Sequence, residues 1–117
     1  VTSAHDHGIS THVLSTASGL PAAAMQVRAQ ILRGDAWIDL VVASTDADGR
    51  IKSMLHGHTL TAGTYRLIFA SGEWFAIQKI DAFFPTVTIE FQVTDPQRHH
   101  HVPLLLSPFG YSTYRGT

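Results

Sequence analysis

The stretch PTVTIEFQVTD, residues 85–95, limits the fold more than any other part of the chain. Val87, Ile89, Phe91 and Val93 fall on one side of an extended strand, with Thr86, Thr88, Glu90 and Gln92 on the other, because successive strand side chains point to opposite faces. A strand with one dry and one wet face requires a sheet packed against a second layer. MQVRAQIL repeats the alternation, with Val27, Ala29 and Ile31 set against Gln26, Arg28 and Gln30, and TYRLIFAS is a third β-rich run that ends before Gly72. Further strands are expected over 9–16 and 37–44. Turn signals separate these runs: SGLP at 18–21, RGD at 33–35, DADG at 46–49 and TAG at 61–63. One segment breaks the pattern. SGEWFAIQKI puts Trp74, Phe75 and Ile77 at helical offsets behind Ser71, an N-cap candidate, with Glu73 in the first turn, and so predicts one short helix. The fold class is all-β, a sandwich with one helix. A single domain is expected over 9–117, preceded by a loose polar segment over 1–8.

A chain of 117 residues can bury roughly two-thirds of the surface its unfolded form exposes, enough for a real core. Hydrophobic residues make up 44% and charged residues 15%, with a formal net charge of -1, which excludes both disorder and a basic surface for nucleic acid. The absence of cysteine removes disulfides, thiolate metal sites and cysteine nucleophiles together. No stretch approaches the roughly 20 apolar residues of a spanning helix, so no membrane partner is expected. The expectation is a soluble protein, cytoplasmic, peroxisomal or periplasmic according to any leader preceding Val1.

VPLLLSPFGY departs from alternation, since Leu104, Leu105 and Leu106 are consecutive. Both faces of that strand should be dry. Another subunit covers a second face more readily than so short a chain does, which points to an oligomer; a strand wholly buried in one domain is the alternative.

Eight histidines raise the question of metal. His99 and His101, His56 and His58, and His5 and His7 are same-face pairs along extended chain, but two ligands do not make a zinc site, so no metal is expected. STDADG fails as a calcium loop: with Gly49 at position six, the first ligand would be Ser44 and the twelfth Leu55. The sequence also lacks a nucleophile elbow, a P-loop and an H-E-x-x-H motif. What remains is histidine and arginine chemistry, in which a neutral imidazole activates water and a guanidinium holds an anion.

HVPLLLSPFGYSTYRGT at the C-terminal end, STHVLSTASGLPA near the start and TDADGR in the middle together resemble the 5-hydroxyisourate hydrolase family, the transthyretin-related proteins of purine degradation. Three motifs occur in family order at family spacing, over about residues 9–117. The resemblance implies a transthyretin-like sandwich of two four-stranded sheets with one short helix. It further implies a homotetramer whose subunit interface holds the active sites. The implied reaction is hydrolysis of 5-hydroxyisourate to 2-oxo-4-hydroxy-4-carboxy-5-ureidoimidazoline, with no cofactor. Carried over by motif, the catalytic set is His12, Arg50 and His101, and the tail Tyr114, Arg115, Gly116 and Thr117 lines the same pocket. Three positions depart from the family pattern. Ser15 stands where aspartate is common, which removes a charge near His12; His100 stands where tyrosine is common; Thr117 stands where serine is common. A non-catalytic carrier on the same sandwich is the competing reading, and it would need only an apolar channel with a few polar contacts. A metal-buffering protein, resting on histidine count alone, is a third.

Overall fold

The structure, a computed structural model, describes residues 8–117. The strands are β1 (Ile9–Ser15), β2 (Leu20–Pro21), β3 (Gln26–Arg33), β4 (Ala36–Ser44) and β5 (Arg50–Ile51), then β6 (Gly63–Phe69), β7 (Val87–Val93), β8 (His100–Ser107) and β9 (Gly110–Thr113). The helix α1 (Ser71–Ile77) lies between β6 and β7. The polar head expected over 1–8, with His5 and His7, lies outside the described residues except for Gly8. The Gly8 carbonyl accepts a hydrogen bond from His100 N at 2.9 Å.

One sheet runs in the order β4-β3-β6-β7, antiparallel throughout. The other runs β2-β1-β8-β9, with β5 also paired to β1. Because β8 occupies one edge of β1 along its whole length, β2 at Leu14 and Ser15 and β5 at Thr11 and His12 share the opposite edge. Two short pieces therefore fill one strand position, and each sheet has the four positions that the resemblance implies. β1 and β8 pair in parallel across most of the chain.

Alternation explains the core. Val87, Ile89 and Val93 of β7, Val27, Ala29 and Ile31 of β3, and Tyr65, Leu67 and Phe69 of β6 are buried against Ile9, Val13, Leu104 and Leu106 of the other sheet. Phe91 stays half-buried, its ring stacked 6.2 Å from that of Tyr65.

Two expectations need correction. The N-cap position of α1 is Ala70, which offers no side-chain hydrogen bond; Ser71 is the first helical residue, and its buried Oγ has no partner among the described residues. Ile77 is 76% exposed, because a helix of seven residues presents little more than Phe75 and part of Trp74 to the core before it ends. Leu104 and Leu106 are buried, but Leu105 on the opposite face is only half-covered by this chain. No helix among the described residues is long and apolar enough to cross a membrane.

Candidate active site

Register alone assembles the site. Along the parallel pair β1 and β8, Ser10 stands opposite His101, His12 opposite Pro103 and Leu14 opposite Leu105. Directly paired residues share a face. Thr11, Val13, Val102 and Leu104 therefore enter the core, while Ser10, His12 and His101 line the outer face. Arg50 pairs with His12 from the other edge and joins the same face. His12, Arg50 and His101, named from three distant motifs, thus lie together. Ser15, three residues beyond His12, falls on the opposite, buried face, so the missing aspartate charge is not beside that histidine.

The turn that delivers Arg50 is tightly specified. Asp46 Oδ1 accepts hydrogen bonds from Asp48 N at 2.9 Å and Arg50 N at 3.0 Å, and those backbone donors hold its carboxyl below the usual carboxylate range. Gly49 sits at φ +74°, and a Cβ there would stand 2.5 Å from the Val13 carbonyl oxygen. Only glycine permits both the conformation and the approach to β1. Val13 N in turn donates to Gly49 O at 2.8 Å, which locks the turn onto the strand.

His101 is the most constrained group of the face. Its Nδ1 lies 2.7 Å from Ser10 Oγ, and Ser10 Oγ lies 2.7 Å from His99 Nε2. Burial pushes the His101 pKa below its ordinary 6.5, and His99, Arg50 and His12 push it the same way against an opposing hydrogen bond at Ser10. The neutral imidazole is therefore the resting form at neutral pH, the form a general base requires. His100, on the core side, is also held below its ordinary value, chiefly by burial, and its Nδ1 has no hydrogen-bond partner among the described residues.

The tail divides. Gly116 N donates to His101 O at 2.8 Å, and a Cβ at 116 would overlap the His101 ring, so glycine is what lets the chain lie against the imidazole. Thr117 follows it into an open concavity of about 540 Å³ lined by Ser10, Asp48, Arg50, Lys52, His99, His101 and Thr117. His12 shares this outer face with Arg50 and His101 but is not among the lining residues. Tyr114 and Arg115 instead line an adjoining cleft of about 260 Å³ between β7 and β8, beside Glu90 and His100, which His101 also lines. Among the described residues no group of three or more His, Asp or Glu side chains is placed to hold a metal ion.

The concavity thus carries a neutral imidazole, a guanidinium and an ammonium around a single carboxylate, a set suited to an anion and an attacking water. Residues 9–116 match the model of the HIUase/Transthyretin family. The chain belongs to that family. The 5-hydroxyisourate hydrolase of Caulobacter vibrioides is 44% identical over 114 residues, spanning 94% of this chain and 98% of that protein. The solved 5-hydroxyisourate hydrolase of Klebsiella pneumoniae is 36% identical with a TM-score of 0.82, covering 93% of this chain and 98% of that one. Sea bream transthyretin in complex with thyroxine gives a TM-score of 0.87 at 26% identity, covering 93% and 94%. The backbone therefore does not separate the named hydrolase from the thyroxine-bound transthyretin; the side chains of the concavity must.

Among the lining residues, Ser10 and Asp48 lie inside the motifs without an assigned role, and Lys52 and His99 lie outside them. The two-residue spacing of His99 and His101 was a legible sign that they share a side. Asp48 and Lys52 stand two residues before and after Arg50, one in the turn and one beyond β5. Ser10 carries no local signal, because its partner is 91 positions away.

Proposed function

We propose that this protein hydrolyses 5-hydroxyisourate, opening the six-membered ring by attack of water on a ring carbonyl. The observation that carries the reading is the meeting of Arg50 and the neutral His101 in one polar concavity on a chain 44% identical to a named hydrolase. The water oxygen bonds to the carbonyl carbon as His101 takes its proton. Charge gathering on the carbonyl oxygen faces the Arg50 guanidinium. Collapse breaks the ring C–N bond, and the proton returns to the departing nitrogen, leaving a carboxylate. Lys52 adds a second positive charge for an anionic substrate. His12 is the second histidine of the face and acts on the same substrate from the Arg50 side. Gly116 and Thr117 close the wall beside His101, while Tyr114 and Arg115 serve the neighbouring cleft.

The assembly in this reading is a homotetramer with the sites at its subunit interface. The half-covered Leu14 and Leu105 on the face that carries the concavity support it, since a contiguous apolar strip beside a polar site is the pattern of a subunit contact. Residues 9–117 form the single functional domain.

The test generates 5-hydroxyisourate from urate with urate oxidase and follows the decay of its ultraviolet signal. Acceleration well above the spontaneous rate, with no metal added, is expected. An unchanged decay with folded protein favours the carrier.

A further inference from the structure

Ser10 bridges two imidazoles, with Oγ 2.7 Å from His99 Nε2 and 2.7 Å from His101 Nδ1. A hydroxyl has one proton to donate and lone pairs that accept. Ser10 can donate to one ring only, and where it does the other ring donates to Oγ; where its hydrogen points elsewhere both rings donate to Oγ, which also puts an N–H on His101 Nδ1. Where Ser10 donates within the bridge, two directions exist. In the first, His101 Nδ1–H donates to Ser10 and Ser10 donates to His99 Nε2, which leaves the lone pair of His101 on Nε2. In the second, His101 carries its hydrogen on Nε2 and has no basic nitrogen left for a water.

The chemistry selects the first direction. A base that takes a proton from water needs a ring nitrogen with a free lone pair, and with Nδ1 placed 2.7 Å from Ser10 Oγ that nitrogen is Nε2. Once Nε2 takes a proton, the imidazolium donates from both nitrogens, a state that fits only the first direction. Proton uptake then needs no turn of the hydroxyl. The bridge is also built into the fold. Ser10 is 8% exposed and held in register with His101 by the parallel pairing of β1 and β8. His99 is presented by a turn in which Asp95 accepts hydrogen bonds from Gln97 N at 3.0 Å and Arg98 N at 3.1 Å.

We infer that Ser10 and His99 are positioning residues for His101: the hydroxyl, oriented by His99, holds His101 in the Nδ1–H tautomer and leaves Nε2 as the base. The inference rests on reading His101 as the group that takes the proton from water. Other titratable or charged groups face this bridge: His12 from β1, and Arg50 of β5 with Asp48 before it and Lys52 after it.

The test combines nitrogen-15 NMR of the imidazoles with steady-state kinetics on the full chain. At a pH where the ring is neutral, wild-type His101 should show a protonated Nδ1 and an unprotonated Nε2. Ser10→Ala should move it toward the Nε2–H form and lower kcat about 10- to 100-fold, the scale of losing the group that orients an imidazole, with KM little changed. His99→Gln keeps an acceptor for the Ser10 hydroxyl and should retain more activity than His99→Ala. A wild-type His101 already in the Nε2–H form overturns the inference, and this result does not depend on any variant folding. Full kcat in Ser10→Ala, beside a crippled His101→Ala, overturns the bridge while leaving the base intact. Full activity in His101→Ala removes the base itself, and the inference with it.

Discussion

The outer faces of the two sheets both carry polar groups and use them in opposite ways. On the β4-β3-β6-β7 sheet, the Arg28 guanidinium donates to Asp39 Oδ2 at 2.9 Å and Gln30 Nε2 donates to Asp39 Oδ1 at 2.6 Å. Arg66 Nε donates to Gln30 Oε1 at 2.6 Å, and its guanidinium lies 4.2 Å over the Trp37 ring. Each of these groups meets another of the same face, and together they solvate a wall. On the β2-β1-β8-β9 sheet, Arg50, Lys52 and His101 gather around a concavity with one carboxylate, Asp48, among the lining side chains. The His101 pKa, held down chiefly by burial, is lowered further by His99, Arg50 and His12 beside it. A polar face that satisfies itself is structural; one that leaves charge directed at open space is arranged for a ligand.

Substitutions on the two faces should therefore diverge. The largest expected effect is on the concavity: His101→Ala and Arg50→Ala should each lower kcat/KM by at least about a hundredfold, the scale of losing a general base or a charge-stabilising donor, with far-ultraviolet dichroism unchanged. Mild losses in both would erase the contrast. Gly116→Ala comes next, since its methyl displaces the His101 ring. We expect kcat to fall about tenfold or more while the thermal midpoint moves little, because a ring shifted by about 1 Å loses catalytic geometry and not core packing. Removal of residues 114–117 should cripple turnover for the same reason, whereas Thr117→Ser, which keeps the hydroxyl, should be nearly silent. The smallest effect belongs to the other sheet: Arg28→Ala should leave kcat/KM unchanged and cost no more than about 1 kcal/mol, the usual limit for an exposed pair.

The acid limb sharpens the comparison further. His101 works neutral and its folded pKa lies below 6.5, so kcat/KM should hold as pH falls through 6.5 and decline only lower. Stability follows the same sign. Folded His100 and His101 resist protonation that the unfolded chain accepts near 6.5, so the unfolded state binds more protons as pH falls below that value. Stability should drop from about pH 6.5 down to the folded pKa values, then level off. Urea titrations across that range measure it, and a flat profile would show that neither ring is held neutral.

The alternation in PTVTIEFQVTD and MQVRAQIL was enough to place two strands and their buried faces, because period two is a local property. The triad His12, Arg50 and His101 was legible only through motif resemblance, and register then explains why three distant segments converge. The His99–Ser10–His101 bridge was not legible as a unit. It depends on a parallel pairing across 91 positions, and no local period encodes which strand lies beside which. The tail was read as one block, yet Tyr114 and Arg115 line one cleft while Thr117 lines the other. Ser71 looked like a cap because capping residues are also common one position inside a helix, and sequence does not fix that offset.

The most direct test of the central claim, that hydrolysis takes place in the Arg50–His101 concavity, is a side-by-side measurement of kcat/KM on freshly generated 5-hydroxyisourate for wild type, His101→Ala and Arg66→Ala. The account predicts rapid turnover by wild type and Arg66→Ala, and a loss of at least about a hundredfold in His101→Ala. Equal activity in all three proteins, or decay no faster than in buffer, would contradict it.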